Sequence, residues 1–342
     1  MIENFLGSLS SNLAVDLGTA NILVYQEGRG IVSNEPSLVV IKEGSNERET
    51  IAVGQEAKSM SGRTPEGVTA LRPMKDGVIS DFEMTGEMLK HFISKVSKKR
   101  SLVKPRVIVC VPFGITEVEK RAVQDSAYAA GARKVYLVEE PMAAAIGAGL
   151  PVTEPTGSMI VDVGGGTTEV AVISMKGIVY SQSARVGGDK MDEAIQQHIR
   201  RSLNVAIGNG CAEQLKISLG SAMPPEREMK MEVVGRDLVR GLPTTLEVSN
   251  MDIFEALKDS LRQIIETVIQ TLENSPPELA EDIVEQGITL AGGGSLLRHF
   301  DTLVSRATGL TAKLADDPLT AVVLGSGMIL DRFEELGDVT SS

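Results

Sequence analysis

Tryptophan is absent from this sequence, and cysteine, histidine and aromatic residues are scarce. The 342 residues include two cysteines, three histidines and only 3% aromatic residues. Cys110 and Cys211 have no paired spacing, which predicts no disulfide framework and fits a reducing compartment. His91, His198 and His299 are scattered along the chain, so a transition-metal site is not expected.

Long apolar runs and a secretory leader are also missing. The best candidate for a membrane span, residues 319–330, contains two glycines and is shorter than a bilayer requires. The first ten residues lack the positively charged region that opens a secretory signal. We therefore expect a cytoplasmic protein that touches a membrane only at its surface.

Positive charge is in the minority. The chain has 34 Lys and Arg against 46 Asp and Glu, a formal net charge of −12. This balance disfavours nucleic acid as a partner and adhesion to anionic lipid by charge alone. The GxxxxGK[ST] motif of P-loop proteins and a clean GxGxxG after a strand are absent, which disfavours both of those nucleotide folds.

Length and patterning predict an α/β protein with two domains, because 342 residues exceed one compact core. Apolar β-branched runs alternate with helical patterns. The predicted strands are 13–18, 22–28, 37–42, 106–112, 134–140, 158–164, 169–174 and 287–293. The predicted helices are 85–98, 117–130, 142–149, 190–203, 211–219, 251–273 and 295–308.

An internal repeat is the main organisational feature. Residues 13–24 read LAVDLGTANILV and residues 159–173 read MIVDVGGGTTEVAVI, each an apolar strand, an aspartate, a glycine turn with threonine and a second strand. Asp16 and Asp162 are 162 − 16 = 146 residues apart, about one domain length. The repeat predicts duplicated domains, with the crossing near residues 151–157.

The first repeat has the residues of a phosphate loop. Gly18 permits a tight turn in which the backbone N–H groups of Thr19, Ala20 and Asn21 face an anion. Asp16 repels phosphate, so its expected role is to hold Mg²⁺ through water. For a single copy, a β-hairpin with an acidic turn is the better interpretation.

The second repeat changes that balance. Asp162 is followed by Gly164, Gly165, Gly166 and Thr167, and three consecutive glycines cost backbone entropy without improving packing. Close approach of a ligand explains the glycines better than a hairpin does. Two such loops facing each other would hold a triphosphate, with Mg²⁺ at both aspartates.

A third glycine cluster occurs in residues 288–297, ITLAGGGSLL. Gly292, Gly293 and Gly294 follow an apolar strand and precede a helix predicted to begin at Ser295. The helix N-terminus favours negative charge, and the glycines admit a base or a phosphate. Because glycine-rich junctions are common, this element is weak evidence by itself.

These three motifs, in this order, resemble the phosphate-1, phosphate-2 and adenosine motifs of the superfamily of actins, heat-shock chaperones and sugar kinases. Segments such as DLGTANILVY, ALRPMKDGVISDF and DVGGGTTEVAVIS resemble the bacterial actins of the MreB family, over about residues 12–330. The resemblance implies a duplicated actin-like, ribonuclease H-like ATPase fold around a nucleotide cleft. The implied subdomains are IA (1–36, 72–150, 331–342), IB (37–71), IIA (151–188, 250–330) and IIB (189–249).

The resemblance also assigns roles to single residues. It implies that Glu140, helped by Thr167, orients the water that attacks the γ-phosphate of ATP. The alternative is that Glu139 and Glu140 only favour the positive end of the following helix.

On the predicted helix 211–219, the resemblance implies that Glu213 and Lys216, with Gln214 between them, reach the ribose and adenine. As a bare pattern, a solvated i,i+3 ion pair is the better interpretation. Gly188 would flank the γ-phosphate, and Asp189 is predicted to be the N-cap of the next helix.

The family further implies ATP-dependent filaments on the inner membrane that organise cell-wall synthesis. The implied partners are other copies of the chain, the membrane, and membrane-bound morphogenesis and cell-wall synthesis proteins. Two apolar groups are candidate membrane contacts, with a packed or frayed terminus and a solvated basic turn as the alternatives. They are Ile2, Phe5, Leu6 and Leu9 at helical spacing, and Leu102 and Val103 within a basic loop.

Other members of the superfamily remain as alternatives. A small-molecule kinase needs a base beside an acceptor hydroxyl, and no separate acidic motif fits that task. A chaperone ATPase needs an appended substrate domain, for which little sequence remains. A plasmid-segregation or organelle-positioning filament, or a scaffold that binds nucleotide without hydrolysis, shares the same motifs.

Overall fold

The computed structural model describes residues 12–44, 48–96 and 104–341. They form two compact units. Unit 1 comprises Met1–Thr156, Ile173–Ile178 and Leu319–Ser342, and unit 2 comprises Gly157–Val172 and Val179–Pro318. The subdomain boundaries implied by the resemblance stay a prediction.

Strands and helices are interspersed along the described chain. The strands are β1 (Leu13–Leu17), β2 (Asn21–Gln26), β3 (Gly30–Pro36), β4 (Val39–Glu43), β5 (Arg48–Val53), β6 (Val68–Leu71), β7 (Met74–Lys75), β8 (Val78–Ile79), β9 (Arg106–Val111), β10 (Lys134–Glu139), β11 (Ser158–Val163), β12 (Thr168–Ser174), β13 (Gly177–Ala184), β14 (Val205–Ala206), β15 (Lys230–Asp237), β16 (Pro243–Ser249), β17 (Ile288–Ala291) and β18 (Ala312–Leu314). The α-helices are α1 (Gln55–Met60), α2 (Phe82–Val96), α3 (Glu117–Ala129), α4 (Glu140–Gly147), α5 (Gly188–Leu203), α6 (Asn209–Leu219), α7 (Asn250–Glu273), α8 (Pro277–Gln286), α9 (Phe300–Thr308), α10 (Ala321–Asp331) and α11 (Phe333–Leu336).

Unit 1 is built on a five-stranded sheet in the order β3-β2-β1-β9-β10. The β1–β2 and β2–β3 pairs are antiparallel, whereas β1, β9 and β10 run parallel. Helices α2 and α3 pack together and share one core with the sheet, in which Met88, Phe92 and Val107 are fully buried. Helices α4 and α10 pack against each other, and α10 also contacts β1, β2 and β9. A small sheet, β5-β4-β6, packs with α1.

Unit 2 has a sheet in the order β13-β12-β11-β17-β18, with β11, β17 and β18 parallel. Its core includes Met191 and Ile195 of α5, Leu215 of α6 and Ile264 of α7. The antiparallel sheet β14-β15-β16 adds Val233 and Val248 to that core.

The two large sheets have the same strand order, hairpin first and parallel strands after it. In the first, Asp16 of β1 is in register with Cys110 of β9. In the second, Asp162 of β11 is in register with Ala291 of β17. The two aspartates therefore occupy equivalent positions, and the predicted duplication is confirmed.

None of the α-helices within the described ranges is both long and apolar enough to cross a bilayer. The apolar segment 319–330 lies largely in α10, which is 11 residues long and packs inside unit 1.

Candidate functional site

The turn between β1 and β2 is the first candidate element, and it requires glycine. A Cβ on Gly18 would lie 2.6 Å from the carbonyl oxygen of Asn21, which no real side chain tolerates. Asp16 and Thr19 are buried beside this turn, with 9% and 8% of their surfaces exposed. A carboxylate, a hydroxyl and a close backbone turn therefore lie together within unit 1.

Two residues that sequence reasoning missed support this turn. Ser37 donates its hydroxyl to the Gly18 carbonyl (2.6 Å) and its N–H to the Ala20 carbonyl (2.9 Å). Arg72 donates its guanidinium to the Thr19 carbonyl (3.1 Å). Since the carbonyls of the turn are bound within unit 1, the turn is held in one conformation.

Glu140 lies at the same edge of the unit 1 sheet as Asp16. Asp16 is in register with Cys110, and Cys110 with Val138 on the neighbouring parallel strand. Glu140 follows Val138 by two residues and begins α4, with Pro141 in the first helical turn. The carboxyl ends of parallel strands are where open α/β sheets bind ligands. The preceding Glu139 is half-buried, and this burial raises its pKa despite the opposing charge of Lys120.

The glycine loop of unit 2 is closed on itself. The N–H of Gly164 donates to the Thr167 carbonyl (2.8 Å), and Thr167 is buried. The hydroxyl of Thr168 donates to the Val186 carbonyl (2.7 Å), which ties the loop to the chain that precedes α5. Asp162 is 6% exposed, and its burial raises its pKa to about 7.

The third glycine cluster packs directly on Asp162. Gly292 has a φ of +78°, and a Cβ there would overlap the Asp162 carboxylate and the Val163 carbonyl. A Cβ on Gly294 would overlap the Val163 side chain. Only glycine allows this strand end to approach the aspartate so closely.

The helix predicted over residues 295–308 is present only from Phe300, so its predicted start at Ser295 is wrong. Residues Gly293–Leu296 form a 3₁₀ turn, and α9 begins only at Phe300. The hydroxyl of Ser295 donates back to the Gly292 carbonyl (2.7 Å), and His299 has a φ of +61°, which interrupts a continuous helix. The cluster therefore lacks the α-helix dipole that the pattern predicted.

The start of α5 is attached to the glycine loop of unit 2. Gly188 donates its N–H to the Gly164 carbonyl (3.0 Å), and Asp189 to the Gly165 carbonyl (2.8 Å). A Cβ on Gly187 would lie 2.6 Å from the Gly164 carbonyl oxygen. The prediction that Asp189 is the N-cap is wrong, because α5 begins at Gly188 and Gly187 takes that position without a side-chain cap.

Helix α6 carries the three residues expected near the ribose and base. Lys216 is only 16% exposed, so its interpretation as part of a solvated pair is wrong. Its ammonium lies 2.8 Å from Asp192 of α5 and donates to the Gly188 carbonyl (2.9 Å). Glu213 is partly buried, while Gln214 is exposed and donates to Ser218 (3.1 Å).

Each unit thus gathers its own set of predicted residues. Unit 1 brings Asp16, Gly18, Thr19, Ala20, Asn21 and Glu140 to one sheet edge. Unit 2 joins Asp162, Gly164, Gly165, Thr167, Gly188, Lys216, Gly292, Gly294 and Ser295 through hydrogen bonds and close packing.

Comparison with known proteins assigns the chain to a family. The MreB/Mbl protein family model matches residues 10–338. The chain belongs to the MreB/Mbl family. It is 51% identical to the cell shape-determining protein MreB of Escherichia coli K12 over 340 residues, covering 98% of each chain. It is therefore an actin-like protein of cell-shape determination.

Solved structures of MreB proteins have the same fold. The crystal structure of MreB5 of Spiroplasma citri bound to AMPPNP superposes with a TM-score of 0.89 at 38% identity, covering 95% of this chain and 97% of the other. The same protein bound to ADP gives the same values for TM-score and identity. A MamK double helical filament, at 22% identity, has a TM-score of 0.78 over 94% of this chain and 99% of the other, which shows the actin-like fold alone.

The membrane contacts expected of this MreB/Mbl chain lie outside the described residues. They are Ile2, Phe5, Leu6, Leu9, Leu102 and Val103.

Proposed function

We propose that this chain is an ATPase that binds Mg²⁺·ATP through the glycine loops of both units and assembles into filaments on the inner face of the cytoplasmic membrane. There it organises cell-wall synthesis and maintains rod shape. One observation carries the proposal: Asp16 and Asp162 lie at equivalent positions near the ends of equivalent strands, and each is followed by a glycine turn, of which the first leaves no room for a side chain at Gly18. The MreB5 structures with AMPPNP and ADP support the same ligand class.

Each aspartate, within its own unit, has the chemistry to hold a hydrated magnesium ion. Oxygen ligands are what Mg²⁺ prefers, and it keeps several waters when one or two carboxylates hold it. Burial disfavours the charged form of Asp162, and a divalent cation beside it would offset that penalty. When bound, Mg²⁺ would neutralise charge on the phosphate oxygens.

Hydrolysis requires a water in line with the γ-phosphate. We assign its orientation to Glu140, whose carboxylate begins α4 at the sheet edge of Asp16. The Thr167 hydroxyl assists from the second loop. A carboxylate here orients the water and accepts its proton, and the backbone N–H groups of the loops stabilise the phosphate charge.

Paired glutamine variants test the catalytic assignment. Glu140→Gln should lower phosphate release from ATP by about 100-fold while leaving nucleotide affinity nearly unchanged, within the range expected for a general base. Glu139→Gln makes the same change of charge one residue earlier and should retain activity. Equal effects of the two variants would instead support a role in the helix dipole alone. Release that depends on an added acceptor hydroxyl would indicate a kinase.

Electron microscopy with ATP, with and without lipid vesicles, tests assembly. We expect filaments that decorate vesicles, and persistent monomers over a range of salt concentrations would contradict the proposal.

Co-sedimentation with vesicles tests the membrane contacts. Deleting residues 1–9 and changing Leu102 and Val103 to serine should abolish vesicle binding but leave filaments in solution.

A further inference from the structure

Lys216 is held by two groups at the start of the neighbouring helix. Its Nζ atom lies 2.8 Å from Oδ1 of Asp192 and 2.9 Å from the Gly188 carbonyl oxygen. The Asp192 and Lys216 side chains are each 16% exposed, so this contact is shielded from most of the solvent. It joins α6 to the first turns of α5.

That contact continues into the glycine loop. Gly188 and Asp189 donate their N–H groups to the carbonyls of Gly164 and Gly165. Gly188 therefore links the two: its carbonyl accepts from the Lys216 ammonium, and its N–H donates to the loop that is proposed to bind phosphate. Because there is no room for a Cβ at Gly187, the start of α5 packs directly against this loop.

A lysine needs such a partner to stay in one place. Its side chain has four rotatable bonds and a strongly hydrated ammonium, so a partly buried lysine without an anion turns towards water. A shielded ion pair contributes little net stability compared with apolar packing, so stability alone does not account for a carboxylate at this position. Asp192 also faces Glu213 and Asp189, and an unpaired anion in this position would repel a phosphate.

We propose that Asp192 is a positioning residue that holds the Lys216 ammonium beside Gly188, so that Lys216 contacts a bound adenine nucleotide. This role rests on the proposed function of Lys216. Asp192 does not touch the nucleotide itself and acts through the lysine. When no nucleotide is bound, the carboxylate also cancels the lysine charge, which keeps the ammonium from turning out to solvent.

Calorimetric titration of the full chain with Mg²⁺·AMPPNP, below the concentration of filament assembly, tests the proposal. Asp192→Asn should weaken binding by about tenfold, the loss of one charged contact. Lys216→Met should weaken it at least as much. The double variant should bind no more weakly than Lys216→Met, because Asp192 acts only through that residue.

Two further variants separate positioning from a structural role. Asp192→Glu keeps the carboxylate and should recover most of the affinity, although the longer side chain changes the packing. Glu193→Gln makes the same charge change at the next residue, where the exposed side chain pairs with Lys190 (2.9 Å), and should bind like the wild type.

The outcomes are distinguishable. Normal affinity in Lys216→Met would overturn the assigned role of the lysine and, with it, this proposal. Weak binding by Lys216→Met with normal or tighter binding by Asp192→Asn would overturn the proposal alone, as would additive losses in the double variant. If Asp192→Asn does not fold, failure of Asp192→Glu to bind more tightly than Lys216→Met would also contradict it.

Discussion

Gly147 of α4 and Gly325 of α10 lie against each other at the point where the two helices cross. A Cβ on Gly147 would overlap the Ala321 carbonyl, and a Cβ on Gly325 would overlap the Ala143 carbonyl. The helices therefore pack backbone to backbone, and α10 is held over β1 and β2, whose connecting turn carries the unit 1 site residues Gly18 and Thr19.

Gly325→Ala should destabilise unit 1 by about 3 kcal/mol, because overpacking against a backbone carbonyl cannot be relieved by a side-chain rotation. This loss exceeds the roughly 1 kcal/mol by which alanine favours a helix over glycine. Urea unfolding measures the change in the free energy of unfolding.

Gly210→Ala is the matched control for this helix substitution. Gly210 lies in α6 with open space where a Cβ would be. Its replacement should be neutral or stabilise the protein by about 0.5 kcal/mol. Equal stability of the two variants would contradict backbone-to-backbone packing at Gly325.

A second prediction concerns Gly292, where backbone strain and a ligand-loop contact coincide. Gly292→Ala should abolish the rise in melting temperature that Mg²⁺·AMPPNP produces, because its Cβ would push on the Asp162 carboxylate. Gly241→Ala places the same residue at a similar φ of +73° but in open space. The control should lose a little stability, about 1 kcal/mol, yet keep the ligand-induced rise. A normal rise in Gly292→Ala would separate Gly292 from ligand binding.

The duplicated core was predictable because its signals are local. An apolar strand, an aspartate and a glycine turn occur within ten residues, and the second copy shows that the pattern at Asp16 and Asp162 is more than a hairpin. Short apolar runs also predicted β9 and β10. Each of these elements depends on residues adjacent in the sequence, which pattern reasoning can read.

Supports that come from distant residues were not predictable. Ser37 and Arg72 bind the turn at Gly18 from 19 and 53 residues away from their acceptors. By sequence spacing, Glu213 on the same helix is an equally good partner for Lys216. In the fold, the Lys216 ammonium instead lies beside Asp192 of α5. The interruption before α9 depends on the left-handed conformation of His299, which residues other than glycine adopt uncommonly.

Asp192 should also make stability depend on pH. Burial is the largest influence and raises its pKa from 3.8 to about 6, with Lys216 opposing and with Glu213 and Asp189 adding to the rise. Between these two values the folded protein binds more protons than the unfolded chain, so this contribution to stability falls as pH rises from about 4 to 6.

Comparison of wild type with Asp192→Asn at pH 4.5 and 7, without nucleotide, measures that contribution. On going from pH 7 to pH 4.5, the free energy of unfolding of the wild type should rise by up to about 2 kcal/mol relative to that of the variant. Glu193→Gln provides the baseline for loss of a carboxylate on the same helix. A constant difference between wild type and Asp192→Asn at both pH values would contradict this prediction.

The last prediction concerns the start of α3, where Thr116 and Glu119 form a capping box. The Thr116 hydroxyl accepts the Glu119 N–H (3.2 Å), and the Glu119 carboxylate accepts the Thr116 N–H (2.8 Å). Thr116→Ala should lower the free energy of unfolding by about 1 kcal/mol, because the Glu119 N–H in the first turn of α3 would lose its hydrogen-bond acceptor. Thr116→Ser keeps the hydroxyl and should remain within a few tenths of the wild type. If serine destabilised the protein as much as alanine, the threonine methyl group rather than the cap would be the stabilising feature.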